Sequence, residues 1–117
     1  MELFDLGADD AWQSKQAGHI IPQTNPQTIA DGLRTSLGDR TFPIIRDHVE
    51  RIVRVEEAEI IAALRLLIER VKIVVEPSGA VALAALFKEK EIFAGKKVGI
   101  ILSGGNVDLK VLAEVFG

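Results

Sequence analysis

Ile60, Leu64, Leu67, Ile68 and Val71 recur at three- and four-residue intervals, the spacing of one face of an α-helix, and predict a helix from about Glu56 to Lys72. Glu59, Arg65, Glu69 and Arg70 fall between them and leave the other face polar. Val55 stands where Ser, Thr or Asp would normally cap such a helix, so a weak cap is expected. A brief aliphatic run, Ile73 to Val75, precedes Pro77, which favours the first position of a second helix ending near Lys90. From Ser78 to Phe87 that helix is apolar on nearly all sides and rich in Ala, so it is expected to be buried, with its backbone close to a neighbour. Val98, Gly99, Ile100, Ile101 and Leu102 predict a buried strand, Ser103 to Asn106 a turn, and Asp108 the cap of a last helix from Leu109 to Phe116.

The first half is less regular. Ala8 to Ala17 predicts a short helix closed by Gly18, with Asp9 and Asp10 in its first turn. From His19 to Asp39, Pro22, Pro26, Gly32 and Gly38 interrupt any period, and a stretch of this kind in a domain is usually functional or packed against something else. Thr41 is a plausible cap for a helix that puts Phe42, Ile45 and Val49 on one side, and Arg51 to Val55 predicts a short strand. The order of helices and strands argues for an α/β fold, a partial parallel sheet with flanking helices.

Composition narrows this further. At 117 residues one domain is expected, and a hydrophobic share of 48% with only 5% aromatics implies a core of Ile, Leu, Val and Ala, which suits helices packed on a parallel sheet. Fourteen basic and seventeen acidic residues give a net charge of −3 with the signs intermixed, which speaks against nucleic acid as a partner. The absence of cysteine excludes disulfides and thiolate metal sites. No apolar run is long enough for a membrane span and no secretory leader is recognisable, so a soluble, cytoplasmic protein without membrane partners is expected.

The chemistry concentrates at Ser103-Gly104-Gly105-Asn106. Glycines beyond a strand let a backbone approach a flat or anionic ligand, and they equally make a tight strand-to-helix turn. The spacing is neither that of a Walker loop nor that of a dinucleotide fingerprint. Glu76-Pro77-Ser78-Gly79-Ala80 followed by Ile100 to Asp108 resembles the paired signature of the serine racemases and threonine dehydratases, fold-type II enzymes dependent on pyridoxal phosphate (PLP). Three upstream blocks resemble the same family in the same order: Ala8-Asp9-Asp10 with Gln13-Ser14-Lys15, Thr28 to Gly32, and Thr41 to Asp47. The resemblance runs from about Gly7 to the end. It implies one incomplete domain over residues 1–117, matching the C-terminal portion of the family's large domain, with residues 1–6 a divergent segment.

By that resemblance Ser103 lies against the pyridine nitrogen of PLP, with Gly104 beside it. Glu76 sits near the same edge of the cofactor, or caps a helix, or both. Gly32 matches a glycine whose backbone passes the cofactor's phenolic side, and is otherwise a turn glycine. Asn106 and Lys72 match positions near a nucleotide effector site at a subunit interface; for Lys72 an ordinary surface role is the alternative. Relatives with a divalent cation, Mg or Ca, would hold it with the Ala8 carbonyl, Asp10 and a glutamate where this chain has Phe4; the alternative is that the two aspartates serve a helix first turn. The family's cofactor-linking lysine and phosphate loop precede this region, and no lysine here sits in that motif, so no catalytic residue is expected within it. His19 and His48 are isolated.

The expected function is a C-terminal fragment of a PLP-dependent serine or threonine ammonia-lyase (dehydratase), or of a serine racemase, inactive by itself. The alternative is a non-catalytic ligand-binding or interaction module that kept the fold. Homo-oligomerisation is expected in either case.

Overall fold

Two parallel strands, β1 (Glu2–Asp5) and β2 (Ile52–Val55), pair in the register Glu2 to Ile52 through Asp5 to Val55. The structure, a computed structural model, describes residues 2–117, with residues 2–6 as backbone only. Parallel partners need a long crossover. Here it contains a 3-10 turn (Leu6–Ala8), helix α1 (Asp10–Ala17), a largely irregular stretch with a second 3-10 turn (Asp31–Leu33), and helix α2 (Thr41–His48). Gly18 closes α1 in the left-handed conformation, as predicted. Thr41 begins α2 one residue beyond the cap position, which Arg40 occupies, and its hydroxyl instead exchanges hydrogen bonds with the Gly38 backbone. β2 lies within one residue of its predicted start, whereas β1 falls in the segment the family resemblance set apart as divergent. Ile52, Val53 and Val55 are all buried, as expected of a strand covered on both faces.

Helix α3 (Glu57–Leu66) is better capped than Val55 suggested. The cap is Glu56, whose side chain accepts from the backbone of Glu59 while the Glu59 carboxylate accepts from the Glu56 N–H at 2.7 Å, a reciprocal capping box. The helix continues as a π-helical turn, Leu67–Val71, and stops at Lys72, which is left-handed at φ 64°. The wider turn breaks the 3.6-residue register, so Val71, expected on the buried face, is 47% exposed while Leu67 stays buried.

Helix α4 (Pro77–Lys88) begins where Pro77 predicted and ends two residues early, followed by the single turn α5 (Lys90–Phe93). Its Ala80, Val81, Ala84 and Ala85 are buried in one core with Ile60, Ala63 and Leu64 of α3, Val53 and Val55 of β2, and Val75. Small residues let the two helix backbones approach, as anticipated, although Phe87 is exposed. Asp108 caps α6 (Leu109–Phe116) by accepting from the Lys110 N–H at 2.8 Å, and Leu112 and Phe116 lean on the same core.

The predicted strand from Val98 to Leu102 does not form; the segment is neither strand nor buried, and Ile101 is 84% exposed. A strand exists only if a neighbour takes its N–H and C=O groups. Among the described residues no strand lies alongside. The Ile73–Val75 run likewise forms no strand; Val75 is buried in the core, but Val74 is 63% exposed. No helix is long and apolar enough to cross a membrane among the described residues.

Candidate functional site

Glu76 occupies the cap position of α4 in extended conformation, with Pro77 supplying the preset first helical residue. Its N–H donates to the Gly104 carbonyl at 3.3 Å. Gly104 has φ 79°, a conformation glycine adopts without strain, and its backbone lies against the Glu76 carboxyl group, which a Cβ there would have to push aside. A Cβ on Gly79, one turn into α4, would stand 2.5 Å from the Ser103 carbonyl oxygen. On the other flank the Gly32 N–H donates to the Ser78 hydroxyl at 3.0 Å. The first turn of α4 thus gathers Gly32, Glu76, Ser103 and Gly104, the four residues expected at the cofactor. What differs is their support, since Ser103 follows an unpaired segment rather than a strand.

Ser103 is exposed, and its hydroxyl makes no hydrogen bond among the described residues. Glu76 makes no side-chain cap bond, and its half-buried carboxyl remains beside Gly104. The cluster thus carries a neutral donor and a carboxyl. No lysine amine is hydrogen-bonded to the cluster among the described residues: those of Lys15, Lys72 and Lys88 are engaged with the carbonyls of Arg46 and Glu69 and with the Glu59 carboxylate.

Asn106 lies on the neighbouring rim, in a cavity of about 270 Å³ that Ile29, Asp31, Pro77, Asp108 and Val111 also line. Lys72 is not brought to it by any hydrogen bond or ion pair. Its amine donates to the Glu69 carbonyl at 2.6 Å, closing the end of the π turn.

The acidic turn before α1 is built differently from the expected cation site. Asp10 is 2% exposed; its Oδ1 accepts from the Gln23 amide at 3.1 Å and its Oδ2 from the Leu37 N–H at 3.2 Å. Burial raises its carboxyl above the usual range, and the Leu37 N–H partly offsets this. Asp9 turns to other partners, accepting from the Gln13 amide at 2.7 Å and from Arg54 at 3.2 Å. Ala8 is buried, and among the described residues no group of three or more His, Cys, Asp or Glu is gathered to hold a metal ion. This donor set does not fit a hard cation, which needs converging oxygens.

Three supporting residues escaped the sequence reading. Ser78 ties Gly32 to α4, Glu57 accepts from the Ile29 N–H at 2.9 Å and holds the adjoining loop, and Arg54 lies over the Trp12 ring. All are long-range contacts, which spacing along a chain does not reveal. The Glu56–Glu59 box did have a local signal, an acidic pair three residues apart before an apolar run.

The family model for pyridoxal-phosphate dependent enzymes matches residues 5–104, and the chain belongs to that family. It is 51% identical over 115 residues to serine racemase of Arabidopsis thaliana, covering 94% of this chain and 35% of that protein. It is 49% identical over 105 residues to β-hydroxyaspartate dehydratase of Paracoccus denitrificans, covering 90% and 33%. The solved structure of maize serine racemase superposes with a TM-score of 0.86 at 44% identity, over 97% of this chain and 37% of that one. The chain thus spans about a third of the length of the relatives it matches.

Proposed function

We propose that this chain is the C-terminal part of the large domain of a PLP-dependent ammonia-lyase or racemase acting on serine, threonine or a similar hydroxy amino acid, and that it supplies the wall against the cofactor's ring nitrogen. The observation that carries this reading is the convergence of Gly32, Glu76, Ser103 and Gly104 on the first turn of α4. The names of the relatives, serine racemase and hydroxyaspartate dehydratase, support the reaction class.

When bound, PLP supplies an electron-withdrawing ring that stabilises negative charge at the substrate's α-carbon. Ser103 would hold the ring nitrogen by donating its otherwise unbonded hydroxyl, and as a neutral donor would leave that nitrogen a weaker electron sink than a carboxylate partner would give. Glu76 borders the same edge, held in place by its backbone bond to Gly104. Gly32 brings a bare backbone to the flank of the ring, and Ser78 fixes it there. The proton-moving lysine and the phosphate-binding loop belong to the rest of the enzyme. With one wall alone the chain does not turn over substrate, because holding reacting groups in position can account for roughly 7–11 kcal/mol of a barrier.

Binding of 4-deoxypyridoxine phosphate, which keeps the ring nitrogen and phosphate but has no aldehyde to react with surface lysines, tests the wall. Calorimetric titration is expected to give weak, saturable binding that drops about tenfold in Ser103→Ala, the effect of one hydrogen bond. Equal binding by the variant would remove Ser103 from the site.

A further inference from the structure

The acidic turn at Ala8, Asp9 and Asp10 is the place where the family resemblance puts a divalent cation, and the residues present do not fit one. Asp10 already accepts from Gln23 on one carboxylate oxygen and from the part-buried Leu37 N–H on the other, which leaves a cation only the remaining lone pair of each. Phe4 stands at the third ligand position and has no oxygen to give. Its register partner on β2 is Arg54, a permanent positive charge. The Arg54 guanidinium lies 3.8 Å from the centroid of the Trp12 ring, with Nη1 3.2 Å from the Asp9 carboxylate. A planar, weakly hydrated cation between an aromatic face and a carboxylate is the setting that suits guanidinium and not a hard metal ion.

We propose that Arg54 replaces a divalent cation in this chain: it supplies the positive charge that fastens the acidic turn and α1 to β2, and the turn binds neither calcium nor magnesium. A metal ion entering beside Arg54 would meet like charge at short range, and the two aspartates, directed to different partners, offer it no common focus. An enzyme that contains this chain would then keep its structure at this turn in the presence of a chelator.

Trp12 is the chain's single tryptophan and reports on the site directly. Calcium and magnesium are titrated separately into the full chain, followed by EDTA, while Trp12 emission and Tm are recorded. Neither is expected to move, whereas a bound ion would raise Tm as its concentration rises. Arg54→Met keeps an apolar chain over Trp12 and removes the charge; a lower Tm and altered Trp12 emission are expected. Asp9→Asn, which leaves guanidinium and ring in place, gives a second reading of the ion pair if Arg54→Met does not fold, again as a lower Tm. A saturable calcium or magnesium response reversed by EDTA would overturn the proposal. So would an unchanged Tm in whichever of the two variants folds.

Discussion

At the scale of single residues, Gly104 and Gly95 form a natural comparison. Both have positive φ, 79° and 74°, but a Cβ on Gly95 would meet nothing within 4 Å, whereas one on Gly104 would overlap Glu76. Gly95→Ala and Gly104→Ala are each expected to cost about 1–2 kcal/mol of backbone strain in denaturant unfolding, because the Glu76 carboxyl ends a flexible, half-buried side chain and can move aside from a Cβ on Gly104. Asp10 gives a pH signature. Burial raises its folded pKa above the unfolded 3.8, so the native state holds the proton more readily. Its contribution therefore lowers stability as pH rises through the window from 3.8 up to the folded pKa, and restores it as pH falls. Asp10→Asn is expected to flatten that part of the stability–pH curve; a slope unchanged in the variant would assign it to another group. That Gly32, Glu76, Ser103 and Gly104 belong together was legible because family motifs mark positions directly, and the structure brings the four to one helix start. The partners of Asp10, Gln23 and Leu37, were not legible because they are distant in sequence and no periodicity links them.

At the scale of elements, the helices were legible, and of the two strands only β2 was. A helix closes its hydrogen bonds within itself, so the apolar period of α3, Pro77 ahead of α4 and Asp108 ahead of α6 were enough to find them. Strands depend on neighbours. Val98 to Leu102 has the composition of a buried strand and lies exposed, while β1, which carries Glu2 and Asp5, pairs because β2 is in reach. The helical stretch of α3 ends at Lys72 as predicted, but its last turn is π, which leaves no trace in a 3.6-residue pattern read over five positions. The capping box gives a direct check on α3. Glu56→Ala is expected to lower stability by about 1 kcal/mol, and Glu59→Ala in the same background to add less than it does alone, because the two side chains act as one device. Fully additive losses in a double-mutant cycle would show that the box is not cooperative.

At the scale of the whole molecule, unpaired aliphatic surface is the dominant feature. Val74, Val98 and Ile101 are exposed on two extended segments that flank the start of α4. Such surface is expected to drive self-association, or docking of the remainder of the enzyme, at the same edges. Light scattering is expected to show concentration-dependent oligomers that Ile101→Asp diminishes; a monomer at every concentration would contradict this. The chain spans about a third of its relatives' length, so the proposed reading requires a second piece to complete the site. The most direct measurement mixes this chain with a polypeptide carrying the missing lysine and phosphate loop, adds PLP and serine or threonine, and follows ammonia and 2-oxo acid together with the D-amino acid. Turnover is expected only when both pieces are present, falling about tenfold with Ser103→Ala. Turnover by this chain alone, or an assembled activity indifferent to Ser103, would contradict the account.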